Sequence, residues 1–305
     1  MKTNDICLAI ITKNRPLQLS RCLESIAQQS VKPMLVLVVD NSSDATALKP
    51  CEKYATKLNI KHSLQRGTVP LCRNFVLENS NVAYLGFVDD DCVLSVGWIE
   101  QALQFLREGY AFVLGKTHLL DPENVLSLGL HTRDQYWKNY SLVNQPQRIN
   151  AFFDTKNVVL DLKTVSNHGL FFDETCQLGP YDSADYEFGV KLGKYSLKGA
   201  YCKTMVIYHQ EALNISILTK KAFARGKLAR YVHEKHKLDE TFCNQKDTVF
   251  LLWFLRACKH FVSEFKEYNK CIDLEFRHIS LIRRLGAYLG IKVFERYYAI
   301  GYYDK

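Results

Sequence analysis

The sequence predicts an α/β fold: a mostly parallel sheet with helices on both faces, followed by a helical, basic C-terminal region. Three observations carry this. Short apolar, β-branched runs alternate with segments of helical period through the first half of the chain. One such run, Val82 to Val88, stops abruptly at three acids, Asp89, Asp90 and Asp91, and open α/β sheets present their ligands beyond strand carboxyl ends. From Leu213 onward the pattern is helical alone. Residues 1–211 are neutral, so residues 212–305 carry the whole surplus of +8.

Taken in order, Cys7 to Thr12 reads as the first strand, broken by Asn14-Arg15-Pro16. Leu17 to Gln29 sets Leu19, Cys22, Leu23 and Ile26 at helical spacing. Met34 to Val39 is the second strand, and Asp40-Asn41-Ser42-Ser43-Asp44 is a polar turn able to cap a helix. Pro50 to Lys57 reads as a helix, with proline tolerable in its first turn. Ile60 to Leu64 is a short strand, turned by Gln65-Arg66-Gly67, and Pro70 to Ser80 is the next helix. After the acidic strand come a helix over Val96 to Glu108 and a strand over Ala111 to Lys116. Residues 118–160 show no clear period and hold Tyr136, Trp137 and Tyr140, so they read as an irregular insert lining a substrate groove. Leu162 to Phe172 reads as strand and Ser183 to Leu197 as helix. Ala200 to Tyr208 is a last strand, closed by His209. The later helices break around Asp239–Asn244 and Lys270–Asp273.

The 305 residues can bury a full core. Ten cysteines with no Cys-x-x-Cys pair, several inside apolar runs, indicate free thiols in a reducing compartment and no structural zinc. The opening run Ile6–Ile11 is too short for a signal peptide, and no stretch approaches the ~20 apolar residues of a membrane span. A cytoplasmic protein follows as the expectation. The basic third places Phe250 to Leu255 before Arg256, Lys259 and His260, with Ile282-Arg283-Arg284-Leu285 and Tyr297-Tyr298 later. Basic residues beside such apolar ones suit peripheral contact with the anionic inner face of a membrane; a helical cap or a dimer contact is the other reading. No nucleic-acid reader motif is present, so nucleic acid is not an expected partner.

Three adjacent carboxylates repel one another and are relieved by a cation. The same residues also fit a solvated acidic turn, and the wider pattern decides between the two. Ile6 to Gln29, Val38-Val39-Asp40-Asn41-Ser42-Ser43-Asp44, Gly67 with Arg73-Asn74, Asp89-Asp90-Asp91, Ala184-Asp185-Tyr186-Glu187-Phe188-Gly189, and His209 after Met205 to Tyr208 stand in one order. Over roughly residues 5–212 this order resembles the family two inverting nucleotide-sugar glycosyltransferases, which have the Rossmann-like GT-A fold. The resemblance implies a catalytic domain over 1–212, with a nucleotide-sugar half (1–117) and an acceptor half (118–212), and a helical region over 213–305.

It also implies roles. Asp89, Asp91 and His209 are candidate ligands for Mn²⁺ or Mg²⁺, which prefer oxygen donors and neutralise a departing diphosphate. Thr12, Arg15, Asp40, Gly67, Arg73, Asn74, Asp89 and Asp90 are candidates to bind the nucleotide sugar. Asp40 can accept an imide N–H of uracil or thymine, which points to a UDP or dTDP sugar, and Arg73 offers a donor fork. Asp90 should face away from Asp89 and Asp91 if strand geometry persists. Asp185, at a helix N-terminus that favours its anion, is the candidate general base, with Glu187 and Asp182 as substitutes. The family usually has Glu where Ala184 stands, which touches the acceptor side. The expected acceptor is a glycan or lipid-linked hydroxyl, in surface polysaccharide or glycan synthesis. Arg225-Gly226-Lys227 could reach phosphates. Two other classes stay open: a phosphohydrolase using the Asp-x-Asp acids, and a non-catalytic nucleotide-sugar-binding protein.

Overall fold

A computed structural model describes residues 5–144, 146–238, 262–269 and 279–304. Phe250 to Leu255, Arg256, Lys259, His260 and the two expected helix breaks lie outside the described residues. The chain forms two compact units. The first comprises Met1–Leu120, Gln147–Thr175 and Ala184–Gln210; the second comprises Asp121–Pro146, Cys176–Ser183 and Glu211–Lys305. The second thus draws two segments, 121–146 and 176–183, from the range read as one catalytic domain.

The first unit is built on an eight-stranded mixed sheet. In chain order its elements are β1 (Ile6–Thr12), α1 (Pro16–Ala27), β2 (Leu35–Asp40), α2 (Leu48–Tyr54), β3 (Ile60–Leu64), α3 (Val69–Asn79), β4 (Tyr84–Val88), β5 (Cys92–Leu94), α4 (Trp98–Arg107) and β6 (Phe112–Leu119). The second unit then contributes α5 (Val125–Asn144). The first resumes with a 3-10 stretch (Pro146–Phe152), β7 (Asn157–Asp161) and α6 (Leu162–Asn167). The hairpin β8 (Gln177–Leu178) and β9 (Tyr181–Asp182) belongs to the second unit, and α7 (Ala184–Lys194) and β10 (Gly199–His209) close the first. The second ends with α8 (Ile215–His236), α9 (262–269) and α10 (Leu281–Tyr303).

The sheet order is β3-β2-β1-β4-β7-β6-β10-β5. β1, β2, β3 and β4 pair in parallel, as do β6 and β10. β7 enters antiparallel between β4 and β6, and β5 pairs antiparallel with the end of β10. β1 and β2 are buried on both faces, which is why they are continuous apolar runs rather than alternating ones, whereas β3 at the sheet edge is partly exposed. Leu19, Cys22, Leu23 and Ile26 of α1 cover one face of the sheet. Trp98, fully buried at the start of α4, donates from Nε1 to Asn157 Oδ1 at 2.8 Å, and Asn157 donates to the Lys116 carbonyl at 2.9 Å. That chain of bonds satisfies polar atoms which would otherwise cost about 1–3 kcal/mol each when buried.

Three sequence expectations are corrected. Residues 118–160 are not an irregular insert: they hold the twenty-residue α5 and the central strand β7. Tyr136, Trp137 and Tyr140 fall on α5, and their side chains lie outside the described set. The segment read as strand from Leu162 opens as helix α6, because the Asp161 side chain accepts from the Thr164 N–H at 2.7 Å and caps it. Strand geometry does not persist through the acids, since β4 ends at Val88 and Asp90-Asp91 form the turn into β5.

In the second unit, α8 begins on the Asn214 side chain, which accepts from Ile217 N–H at 2.9 Å. It packs against α10 at glycine. A Cβ on Gly226 would lie 2.0 Å from the Tyr298 carbonyl oxygen, and one on Gly301 would lie 2.0 Å from that of Phe223. Two basic residues of α8 are engaged within the unit: Lys227 pairs with Asp304 at 2.8 Å, and Arg225 lies near Asp134 and over the Phe294 ring. No helix among the described residues is long and apolar enough to cross a membrane.

Candidate active site

The site lies in the first unit, at the carboxyl ends of β2, β1 and β4. Parallel register sets Thr12 beside Asp40 and continues β4 alongside β1, so Asp40, Thr12 and the acidic turn fall along one sheet edge. β5 leads out of that turn and pairs with β10, with His209 opposite Cys92. The Gln210 N–H also donates to the Asp91 carbonyl at 2.9 Å. This antiparallel closure delivers His209 to the acids from more than a hundred residues downstream.

Among the described residues, Asp89, Asp91 and His209 each offer a ligand atom, and these lie within 4.8 Å of one another. His209 Nε2 is 3.3 Å from Asp91 Oδ1. That oxygen is buried and accepts no hydrogen bond of good geometry among the described residues. A buried carboxylate oxygen without a well-placed donor, beside a second carboxylate and an imidazole, fits a divalent cation.

Arg15 reaches across the turn, with Nη1 3.2 Å from Asp90 Oδ1 and 3.0 Å from Asp91 Oδ2. Thr12 donates from Oγ1 to Asp90 Oδ2 at 2.7 Å. Asp90 is therefore held inward by Thr12 and Arg15 and is nearly inaccessible. Burial drives its carboxyl up to about 6, against the pull of the Thr12 hydroxyl and Arg15. Asp89 is also raised, first by burial and then by the charge of Asp91, with Arg73, His209 and Lys156 opposing. Burial would raise Asp91 too, but the His209 imidazole and Arg15 more than offset it and leave that acid lowered.

The other expected residues are placed as follows. Asp40 is 0% exposed. Its Oδ1 accepts from Ser42 N–H at 2.9 Å, and its Oδ2 accepts from Ala47 N–H at 3.0 Å and lies 3.2 Å from His62 Nε2. Asp40 thus holds the turn into α2. Gly67 is clamped by Asn41, whose Nδ2 donates to its carbonyl at 2.9 Å and whose Oδ1 accepts its N–H at 3.2 Å. A φ of +147° there favours glycine. Arg73 is buried with its guanidinium 5.5 Å from the Phe172 ring centroid, and its charge bears on Asp89. Asn74 donates to Phe172 O and Glu174 Oε1, each at 3.0 Å, and accepts from Phe172 N–H at 2.7 Å. Its amide therefore secures the 172–174 loop.

Asp185 is half-buried in the first turn of α7, with Oδ1 accepting from Tyr186 N–H at 2.9 Å. Glu187 points into the core and pairs with Lys191 at 2.9 Å, while Asp182 ends β9 in the second unit. Two site residues escape sequence reasoning: Lys156, just before β7, and Asp154, to which its ammonium donates. The charge of Lys156 couples to both Asp89 and Asp185. Their only sequence signal is position, immediately before a strand hidden within the apparent insert.

The family model for "Glycosyl transferase family 2" matches residues 7–164. A curated relative, the minor teichoic acid biosynthesis protein GgaB of Bacillus subtilis (strain 168), is 35% identical over 101 residues, which are 31% of this chain and 11% of that protein. The match thus spans about a tenth of the relative's length. Among solved structures, S. aureus TarS 1–349 in complex with UDP-GlcNAc superposes with a TM-score of 0.56 at 16% identity, covering 97% of this chain and 90% of that one. The mannosyltransferase PcManGT of Pyrobaculum calidifontis, in complex with GDP-Man and Mn²⁺, gives 0.62 at 14% identity, covering 99% and 88%. Both likenesses show the GT-A fold.

Proposed function

On the premise that this chain belongs to glycosyl transferase family 2, we propose that it moves a sugar from a nucleotide diphosphate sugar to a hydroxyl of a glycan or lipid-linked acceptor, with inversion. The observation that carries the reading is the convergence of Asp89, Asp91 and His209 ligand atoms within 4.8 Å at the sheet edge. These three residues would hold Mn²⁺ or Mg²⁺. Such an ion supplies positive charge to the leaving diphosphate, the largest electrostatic demand of the reaction.

The chain's own residues do the rest. Thr12 and Arg15 orient the acidic turn. Asp40, Gly67 and Asn74 serve the nucleotide side through the loops they hold, and Arg73 adds a buried cation. Asp185 takes the acceptor hydroxyl's proton as that oxygen attacks the anomeric carbon from the face opposite the leaving group, which inverts the centre in one displacement. The likeness to TarS in complex with UDP and with UDP-GlcNAc supports a uridine donor, while Asp40 acts from within its loop, its carboxylate buried and bonded to Ser42, Ala47 and His62. The stretch shared with GgaB, a minor teichoic acid biosynthesis protein, supports a place in surface-polymer synthesis, and the location we propose is the cytoplasmic side of the membrane. Exposed Leu281, Ile282 and Leu289 beside the basic residues of α10 support peripheral contact there.

The test is Asp91→Asn with a panel of UDP and dTDP sugars at saturating Mn²⁺. Loss of one metal carboxylate should lower kcat by about a hundredfold or more. Transfer at the unaltered rate would overturn the metal-assisted reading.

A further inference from the structure

The antiparallel ladder between β4 and β7 ends with Val88 opposite Asn157. One residue beyond that pair, Lys156 and Asp89, the first acid of the site, leave the ladder side by side. Lys156 is not left to swing. The carboxylate of Asp154 accepts its backbone N–H on Oδ1 at 3.2 Å and its ammonium on Oδ2, and the Asp154 carbonyl accepts the Asn157 N–H at 3.2 Å. The side chain is partly buried, and against the pull of that burial Asp154, then Asp89 and Asp185, keep the ammonium charged.

We propose that Lys156 is a positioning residue for the transfer: an ammonium tethered by Asp154, at the end of the ladder beside Asp89 and bearing on Asp185, that orients the carboxylates on which ion holding and proton removal depend. The inference rests on the transferase reading above and adds a residue to it. A solvated lysine would need neither the two-point Asp154 clamp nor a place beside the acids. Because like charges compete, the same ammonium tempers how tightly Asp89 and Asp91 hold a divalent cation. Lys156 and Asp154 therefore act on cation affinity with opposite signs.

The experiment measures Mn²⁺ binding by calorimetry to the full chain carrying Lys156→Met, Lys156→Arg or Asp154→Asn, and then kcat and donor KM. Lys156→Met should bind Mn²⁺ about threefold tighter or more, and Asp154→Asn weaker by a similar factor. Lys156→Met should lower kcat by about tenfold with donor KM within about twofold, and Lys156→Arg should restore both. A merely structural lysine would not tighten metal binding while slowing the reaction. Wild-type Mn²⁺ affinity and kcat in Lys156→Met, or affinity shifts of the same sign in Lys156→Met and Asp154→Asn, overturn the proposal. Should Lys156→Met fail to fold by circular dichroism, the Asp154→Asn and Lys156→Arg pair decides alone, because weakened Mn²⁺ binding is required of the first and not of the second. Binding needs no donor, so these results stand apart from Asp91→Asn. A wild-type protein that neither binds Mn²⁺ nor transfers sugar defeats the transferase reading, and the Lys156 role with it.

Discussion

Asp40 shows how a residue in a motif can be spent on structure. Burial alone would raise its carboxyl, but donors from Ser42, Ala47 and His62 more than offset this and leave it below the usual carboxylate range. A depressed folded-state value stabilises the protein above the unfolded carboxylate value of about 4, and that contribution is lost as pH falls through the folded value. Asp40→Asn should therefore cost about 1–3 kcal/mol at pH 7 and should lose part of the acid sensitivity. Urea midpoints of both proteins at pH 7 and pH 3 check this: the gap between them should narrow at the lower pH. The acids and His209 were legible in the sequence because motif order and strand ends placed them. The internal bonds of Asp40 and Asn74 were not, because a hydrogen-bond partner such as Phe172 or Ala47 leaves no mark on the residue that uses it. Lys156 was invisible for another reason: its meaning comes from β7, and that strand was not read.

At the scale of elements, the α8 and α10 pair depends on glycine. Gly226→Ala places a methyl against the Tyr298 carbonyl with no flexible side chain to yield, so the helices must part. The expected loss is about 1–3 kcal/mol. Gly286, also in α10, has its nearest neighbours at 3.8 Å on Val125. Gly286→Ala should be neutral or gain about 0.5–1 kcal/mol from helix propensity. Thermal melts of the two variants should move in opposite directions, or the second should not move. Local pattern found most strands of the parallel half and the helices α1, α3, α4 and α7 within a few residues. It failed on α5, where Ser127, His131, Thr132 and Lys138 are buried and break the apolar stripe. It failed on α6, where Val165 and two threonine or serine neighbours suggested strand while Asp161 was already capping a helix. β5, three residues long, is below what periodicity can register.

For the whole molecule, charge and site are separable. The positive surplus belongs to residues 212–305, whereas the acids lie in the first unit. Mn²⁺ should raise the melting temperature of the wild type, since an ion bound a hundredfold above its Kd adds about 2.7 kcal/mol. Asp91→Asn should abolish that shift; a retained shift would mean that the ion binds elsewhere.

The strand order has a temporal side. A ribosome delivers β1 to β4 early, yet their inner neighbour β7 waits for residue 157, and the histidine that completes the cluster is among the last residues of the sheet to emerge. The nascent N-terminal half therefore carries an open β4 edge for as long as translation takes to reach β7, a period in which a chaperone would be useful. The cation can reward only a chain whose sheet has already closed.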